Sequence, residues 1–360
     1  MKSRFALCSV VVLCIMVLSG SVHAADGVVQ INQGRAVAGG VTPGDTPGFP
    51  VTISRPGNYQ LTSNLTVTRA NTTAIEITSD DVTLDLNGLT ISGPTVCTPG
   101  VNKSVTCSPA GTGIGVNAPS EANIVVINGV VKGMGLDGIN LAGTNTRAEN
   151  IQAYSNGGNG ILTTIGSNNT AASNGMVGIS ITNGSNNTSA NNGGDGIDSF
   201  GTANNNVSNN NGGIGISALT ANSNASFNNQ GDGIDANTAI GNTATGNTGN
   251  GITAFTANNN VSNNNGGNGI VTNTAIGNTA AGNAGNGINA GMANNNSSNN
   301  NGGNGIIAGT AIGNTATGNA GYGLSSSGGY TNNVFQGNTT GSVSGGIQMG
   351  TNVCNGTACP

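Results

Sequence analysis

The sequence is short of the side chains on which most binding and catalytic chemistry depends. Among its 360 residues there is no tryptophan and one histidine, aromatic residues make up 3%, and charged residues make up 6%. No lysine or arginine follows Arg147, and the histidine, His23, lies near the N-terminus. Nucleic-acid binding and polybasic contact with a membrane both require clusters of basic side chains, so this composition excludes them.

The shortage of histidine also limits the metals that the chain can hold. Copper requires imidazole or sulfur ligands, and beyond the N-terminal segment the methionines are scattered, at Met134, Met176, Met292 and Met349. The sequence therefore predicts no cofactor, with one alternative: a calcium ion bound by the four aspartates described below.

The N-terminal segment has the composition of an export signal. Lys2 and Arg4 precede an apolar run over 5–18, and small residues follow up to Ala24. This order predicts a signal peptide over 1–24, removed after Ala24. The apolar run is too short to span a membrane, and no later stretch is apolar enough to do so. We therefore expect a secreted protein, periplasmic or extracellular, whose mature chain has no transmembrane segment.

Four of the six cysteines follow the signal segment: Cys97, Cys107, Cys354 and Cys359. Four cysteines allow three pairings. The pairs Cys97–Cys107 and Cys354–Cys359 are favoured, because each would close a short surface loop in an oxidising compartment. A metal site is the alternative interpretation.

A glycine followed by an aliphatic residue returns about every eighteen residues. We number each repeat from this aliphatic residue as position zero, which is occupied by Ile161, Ile179, Ile197, Ile216, Ile234, Ile252, Ile270, Ile288, Ile306 and Leu324. Only the interval from Ile197 to Ile216 is nineteen. A fixed period of this length predicts a solenoid in which each repeat forms one coil.

Two further positions are occupied by asparagine. Position eight holds Asn169, Asn187, Asn205, Asn224, Asn242, Asn260, Asn278, Asn296 and Asn314. Position thirteen holds Asn174, Asn192, Asn229, Asn247, Asn265, Asn283, Asn301 and Asn319, with Asn210 or Asn211 in the longer coil. Asparagine tolerates the left-handed backbone conformation of a tight corner, and its side-chain amide can form a hydrogen bond with the equivalent asparagine one coil away. We therefore expect each of these residues both to make the corner and to bond the next coil.

The repeat also distinguishes between kinds of solenoid. A left-handed hexapeptide helix requires an aliphatic residue every six positions, and position twelve is never aliphatic. A calcium-binding β-roll requires a nonapeptide that only residues 193–198 match. A disordered chain would have no reason to keep isoleucine and asparagine at fixed spacing over ten repeats. Successive coils over 216–323 alternate in type, which indicates duplication of a two-coil unit.

Outside the regular repeats the chain continues in short strands. We divide it into the signal peptide (1–24), an N-terminal cap with the first strands (25–70), irregular coils with a Cys97–Cys107 insertion that loops out (71–160), regular coils (161–324) and a C-terminal cap (325–360). Caps are expected because a solenoid exposes unpaired strand edges at both ends.

Several segments resemble a known group of proteins. The run AIEITSDDVTLDLNG over 74–88, the repeated Asn-Gly-Gly-x-Gly-Ile and the ending CNGTACP over 354–360 are similar to secreted bacterial right-handed parallel β-helix repeat proteins. That group shares its fold with pectate lyases, polygalacturonases, alginate epimerases and copper-associated β-helix proteins. The resemblance implies an all-β, single-stranded, right-handed parallel β-helix with about 18 residues per coil. It implies no single activity, because the fold carries both catalysts and inert scaffolds.

A lyase of this fold would use a basic residue together with acidic calcium ligands. One mixed cluster is available in the irregular coils: Lys103, Glu121, Lys132, Asp137, Arg147 and Glu149, with Tyr154 nearby. From it we take Lys132, Asp137 and Arg147 as candidate catalytic residues. Ordinary solvated surface charge is the alternative interpretation.

A hydrolase would instead use paired carboxylates. Asp195 and Asp198 occupy the same positions, minus two and plus one, as Asp232 and Asp235 two coils later. At about 4.8 Å per coil, Asp198 and Asp235 would lie roughly 9.6 Å apart, at the wide edge of the inverting range. These four aspartates are also candidate calcium ligands, and the third possibility is a purely structural role in the turns.

The rest of the surface is neutral and rich in asparagine, threonine, serine and glycine, which suits a glycan or a cell-surface contact. Phe200 and Phe255 share position three; we interpret them as core or corner plugs, with a stacking platform as the alternative. The lack of histidine after the predicted signal peptide, and of basic residues after Arg147, argues against an enzyme. The sequence thus predicts a non-catalytic module that contacts polysaccharide or another surface. A polysaccharide lyase or hydrolase and a self-assembling or ice-binding solenoid are the alternatives.

Overall fold

The computed structural model describes residues 27–359, so the predicted signal peptide lies outside the described residues. The described chain is a parallel β-solenoid of about 13 turns with about 18 residues per turn. Its strands form one continuous sheet in which each coil pairs with the coils before and after it. The predicted parallel β-helix is therefore confirmed.

The first coils contain short strands, one helix and one hairpin. The elements are β1 (Val28–Ile31), α1 (Gln33–Ala38), β2 (Val51–Ile53), β3 (Gly57–Leu61), β4 (Leu65–Thr66), β5 (Ile75–Ile77), β6 (Val82–Asp85), β7 (Thr90–Ser92), β8 (Val96–Pro99), a 3-10 helix (Val101–Lys103), β9 (Val105–Ser108), β10 (Val116–Asn117), β11 (Val125–Lys132), β12 (Ile139–Asn140) and β13 (Arg147–Tyr154).

In the regular coils a longer strand generally alternates with a three-residue strand. They are β14 (Ile161–Ser167), β15 (Thr170–Ala172), β16 (Ile179–Ser185), β17 (Thr188–Ala190), β18 (Ile197–Ser199), β19 (Thr202–Asn204), β20 (Val207–Asn209), β21 (Ile216–Asn222), β22 (Ala225–Phe227), β23 (Ile234–Ile240), β24 (Thr243–Thr245), β25 (Ile252–Asn258), β26 (Val261–Asn263), β27 (Ile270–Ile276), β28 (Thr279–Ala281), β29 (Ile288–Asn294), β30 (Ser297–Asn299), β31 (Ile306–Ile312) and β32 (Thr315–Thr317).

The last coils end in a small hairpin. Their strands are β33 (Tyr322–Ser326), β34 (Gly329–Thr331), β35 (Val334–Gln336), β36 (Gly341–Ser344), β37 (Ile347–Gln348), β38 (Val353–Cys354) and β39 (Thr357–Ala358). Within residues 27–359, the antiparallel pairs are β8 with β9 and β38 with β39, and all other pairs are parallel.

The aliphatic column at position zero forms the spine of the core. Each of its isoleucines is fully buried and lies in register with the isoleucine of the next coil, as Ile234 does with Ile252. Alanines at position five, such as Ala239, complete the interior. Full burial of one isoleucine side chain contributes about 1.5–3 kcal/mol, so this column supplies much of the driving force for stacking.

Two ladders of buried asparagines hold neighbouring coils together. At position eight, for example, Asn242 donates from its backbone nitrogen and from Nδ2 to Oδ1 of Asn260, at 2.9 and 3.0 Å. In the nineteen-residue coil the ladder residue is Asn206, which accepts from Asn187. The assignment of Asn205 to this column was therefore wrong, because the additional residue of that coil precedes the ladder position. At position thirteen Asn211 is the ladder member.

The corners and the ladders use different residues, contrary to the expectation that one asparagine serves both. Left-handed backbone occurs at the residue just before each ladder asparagine, as at Asn259 (φ 54°) and Asn264 (φ 54°). Asn260 and Asn265 themselves lie outside the left-handed region and are buried. A buried amide thus bonds the next coil, while its exposed neighbour makes the turn.

The alternation of coil types over 216–323 is visible at the corners. There asparagine in one coil is followed by glycine in the next, as Asn264 is by Gly282 (φ 66°). A Cβ atom on Gly282 would lie 2.3 Å from Oδ1 of Asn264. Earlier coils stack asparagine corners directly instead, and Asn210 donates from Nδ2 to Oδ1 of Asn191.

The two ends of the solenoid are protected unequally. At the N-terminal end Gln33 accepts from the backbone nitrogen of Thr66 in β4 and donates to its carbonyl, and Asp45 accepts from the nitrogen of Thr52 in β2. These side chains satisfy exposed strand edges. At the C-terminal end β39 pairs with β38, but among the described residues no strand pairs with the outer edges of β36 and β37.

Both predicted disulfides are present, Cys97–Cys107 and Cys354–Cys359. The first closes the β8–β9 hairpin, which does not simply loop out but folds back along the regular coils. Lys103 at its tip donates from Nζ to the carbonyl oxygen of Asn228. Below it lie glycines of successive coils: a Cβ atom on Gly193 would lie 3.3 Å from Cβ of Val105.

Candidate functional site

One outward-facing column runs along the whole solenoid beside the isoleucine spine. We call it the outer column; in register from coil to coil it contains Thr52, Glu76, Asn117, Asn140, Leu162, Ser180, Asp198, Ser217, Asp235, Thr253, Val271, Asn289, Ile307 and Ser325. It alternates with buried residues on either side, as expected for a strand with one solvent face. Its charged members are all acidic: Glu76, Asp198 and Asp235.

Asp198 and Asp235 lie two coils apart, with Ser217 between them in the register. Burial raises the pKa of both carboxyls above the ordinary value; the neighbouring Asp195 adds to the effect at Asp198, and Asp232 adds to it at Asp235. Two coil spacings of about 4.8 Å give a separation of roughly 9.6 Å. The structure thus places these two residues on one face, two coils apart.

Asp195 and Asp232 belong instead to a third ladder, at position minus two. Asp195 accepts from the backbone nitrogen of Ile214 at 2.7 Å, and Asp232 accepts from that of Asn250 at 2.7 Å. Asparagines such as Asn268 and Asn286 take the same place in later coils. This contact supports the structural interpretation of the two aspartates, because an asparagine can make the same bond without charge.

The third ladder begins further back, at Asp137. This buried carboxylate accepts from the backbone nitrogen of Asn159 at 2.7 Å. Burial raises the pKa of Asp137, and the hydrogen bonds with Asn159 partly offset that rise. Asp137 is thus held within the wall of the solenoid, where its oxygen bonds the next coil.

The phenylalanines at position three are exposed, so their interpretation as core or corner plugs was wrong. Phe200 is 65% exposed, Phe255 is 63% exposed, and Leu219 one coil after Phe200 is 53% exposed. They form a second column, the apolar column, immediately beside the outer column. The alternation of the repeat already indicated this, because position two points inward and position three therefore points outward.

A shallow cleft of about 190 Å³ adjoins the apolar column. Its walls are formed by Leu162, Ser180, Ile181 and Phe200, together with threonines at position three of two coils. Leu162 and Ser180 belong to the outer column, in which Asp198 is the next member after Ser180. Cleft, carboxylates and exposed rings thus occupy one face of the solenoid.

The early charged residues do not form one cluster. The Lys132 amine lies 5.6 Å from the centre of the Tyr154 ring, and both side chains line a second cleft of about 250 Å³. Arg147 and Glu149 precede the corner at Asn150. They pair with the first residues of β11, whereas Lys132 is its last residue and pairs with Tyr154. Lys103 lies on the hairpin, at Asn228 of the regular coils. A basic side chain from the irregular coils therefore reaches the regular coils at this corner.

Neither a metal cluster nor a spanning helix emerges from the described part of the chain. Within residues 27–359 no three His, Cys, Asp or Glu side chains are grouped closely enough to hold a metal ion. None of the helices there is both long and apolar enough to cross a membrane. Calcium binding at the four aspartates thus stays a prediction.

Stacked coils, parallel strands and side-chain ladders place the chain among parallel β-helix proteins. No protein-family model matches it, and no curated protein matches it either.

Among solved structures the chain is similar to the A-module of mannuronan C-5 epimerase AlgE4 from Azotobacter vinelandii, at 12% identity over 91% of this chain and 85% of that one, with a TM-score of 0.32. It is also similar to the Dettilon tailspike protein, at 16% identity over 82% and 62%, with a TM-score of 0.27. The catalytic domain of a GH87 α-1,3-glucanase has 12% identity over 81% and 59%, with a TM-score of 0.26. At these values the likeness supports no argument about a ligand or a reaction.

Proposed function

We propose that the chain is an exported, non-catalytic β-helix protein that binds polysaccharide on the face formed by the outer column and the apolar column. The observation that carries the proposal is the exposure of Phe200, which lines the cleft, and of Leu219 and Phe255 further along the same column. Large apolar side chains exposed in a row mark binding surfaces, and aromatic rings provide flat surfaces on which sugar rings can pack.

The polar residues of the same face suit a glycan ligand. Ser217 offers a hydroxyl group in the coil after Phe200, and Asn237 lies between Leu219 and Phe255. Such sites combine apolar contact with a few polar groups that fix orientation. Two disulfides support export to an oxidising compartment, periplasmic or extracellular.

A hydrolase that uses Asp198 and Asp235 is the second candidate. The raised pKa of both carboxyls favours it, because a general acid must hold a proton near working pH. Against it, no basic residue follows Arg147 in the sequence, and neither aspartate has a cationic neighbour on its strand. We therefore favour binding without turnover.

The test is a panel of immobilised neutral, acidic and amino-group polysaccharides, with dissociation constants measured by biolayer interferometry. We expect binding to at least one polymer, and a loss of about thirtyfold in the Phe200→Ala/Phe255→Ala variant if each ring contributes about 1 kcal/mol. Val101→Ala, which truncates an exposed apolar residue on the hairpin, is the matched control and should bind normally.

Turnover is assayed in parallel with the same polymers, with and without calcium, as new reducing or unsaturated ends. Cleavage lost in Asp198→Asn or Lys132→Ala would replace the proposal with the enzyme alternative. If no polymer is bound or cleaved, the proposal fails and filament formation or ice binding becomes the next function to measure.

A further inference from the structure

We infer that this face recognises a glycan carrying free amino groups, an inference that rests on the proposed function and adds its substrate class. The ligand would lie along the solenoid axis, with its ammonium groups at the carboxylates of the outer column. Two features of the face carry the inference: the sign of its charge, and the placement of its carboxylates beside exposed apolar side chains.

The outer column contains three carboxylates and no cation. Glu76, Asp198 and Asp235 pair in register with neutral residues on both sides. The other titratable groups near them are also acidic: Glu121 beside Glu76, Asp195 beside Asp198 and Asp232 beside Asp235. A polyuronate would therefore be repelled along the whole face, whereas an ammonium group would meet uncompensated negative charge.

The basic side chains nearest to this part of the fold are engaged elsewhere. Lys103 donates to the carbonyl of Asn228, on a corner that precedes the third ladder. Lys132 lies over the ring of Tyr154. Burial raises the pKa of all three carboxyls in the outer column, and at Glu76 the hydrogen bonds from Asn117 partly offset that rise. The ionised forms of Asp198 and Asp235 have no such compensation among the described residues. A bound cation would supply it.

The spacing favours a polymer of regular repeat. Asp198 and Asp235 lie roughly 9.6 Å apart along the axis, a distance comparable to a disaccharide in an extended glycan. Phe200, Leu219 and Phe255 run beside them in the same direction. A basic peptide would satisfy the charges, but carboxylates spaced by about one disaccharide beside exposed apolar side chains, as Asp198 is beside Phe200, match sugar rings that carry amines.

The inference is tested with three hexasaccharides of equal length: a glucosamine hexamer, its fully N-acetylated form and an oligogalacturonate. Binding is measured by calorimetry at a pH between the carboxylate and amine pKa values. We expect the amine form to bind roughly tenfold more tightly than the acetylated form, a ratio equal to about 1.4 kcal/mol, and the uronate not to compete. Asp198→Asn/Asp235→Asn should remove this preference and leave binding of the acetylated form unchanged.

The control variant is Asp81→Asn/Glu149→Gln, which removes the same net charge outside the outer column and should keep the preference. Equal binding of the amine and acetylated forms, or competition by the uronate, would overturn the inference while the proposed function stands. If oligolysine binds and no hexasaccharide does, both are refuted.

Discussion

Asn247 donates two hydrogen bonds to a single atom of Asn265, from its backbone nitrogen at 3.0 Å and from Nδ2 at 3.1 Å. Asn265 in turn donates from Nδ2 to the Ala244 carbonyl and to Oδ1 of Asn283. Both asparagines are buried. Each ladder amide therefore joins three successive coils.

Removing one such amide should destabilise the solenoid strongly. Asn265→Ala leaves the buried donors of Asn247 without an acceptor, and each unsatisfied group costs about 1–3 kcal/mol. We expect a loss of about 2–4 kcal/mol, measured as a lower urea midpoint by circular dichroism. Asn264→Gly is the control: it alters the adjacent corner, where glycine suits the left-handed backbone, and should cost within about 1 kcal/mol. Equal effects would refute the separation of corner and ladder roles.

Asp137 should make the protein less stable at neutral pH than an asparagine would. Burial raises the pKa of Asp137 in the folded protein. Its contribution to the free energy of unfolding is therefore complete when the pH is below its pKa in the unfolded chain, and is lost as the pH rises through its pKa in the folded protein. Asp137→Asn, which retains an acceptor for Asn159, should stabilise at neutral pH by about 1.4 kcal/mol per unit of pKa shift. The difference should vanish in acid. Asp137→Ala removes the acceptor and should destabilise at every pH.

The hairpin should detach from the regular coils when its disulfide is removed. Cys97→Ser/Cys107→Ser opens a loop of sequence separation 10, whose closure is worth about 2–3 kcal/mol. We expect proteolysis within residues 98–106 and faster amide exchange near Asn228. Cys354→Ser/Cys359→Ser should leave both unchanged. Protection that persists without the Cys97–Cys107 bond would show that the glycine-lined surface alone holds the hairpin.

We propose that the protein self-associates weakly through its last coil. Ile347 and Met349 are 67% and 71% exposed beside a cleft of about 440 Å³, next to the unpaired edge of β37. Such edges accept a further strand. We expect a sedimentation coefficient that rises with protein concentration. Ile347→Lys should reduce this rise, and Val101→Lys on the hairpin should not. A monomer at all concentrations would contradict this.

The repeat was sufficient to predict the coil, because each residue of a column has the same neighbours in every coil. Ile252 and Asn260 could be placed from spacing alone, and so could the shared face of Asp198 and Asp235. Asn205 was misplaced because a single insertion cannot be located within a run of identical residues. The outward direction of Phe200 was available from the alternation but was outweighed by the usual preference of aromatic rings for the interior.

The hairpin lay beyond sequence reasoning. Lys103 and Asn228 are 125 residues apart, and no periodicity connects an insertion to the coils on which it rests. The same holds for the early charged residues. Lys132 follows the corner at Asn128, whereas Arg147 precedes the equivalent corner at Asn150 in the next coil. No repeat defines the positions of these corners, because the coils are irregular.

The corners of the solenoid tolerate two kinds of stacking, and this affects how the chain can change in length. In the later coils asparagine faces glycine, whereas Asn210 faces Asn191 and donates from Nδ2 to its Oδ1. Deleting a single coil from the alternating region would only bring two corners into the second arrangement. Gene rearrangements should therefore lengthen or shorten relatives of this rod one turn at a time, and the reach of its ligand-facing side would vary in the same steps.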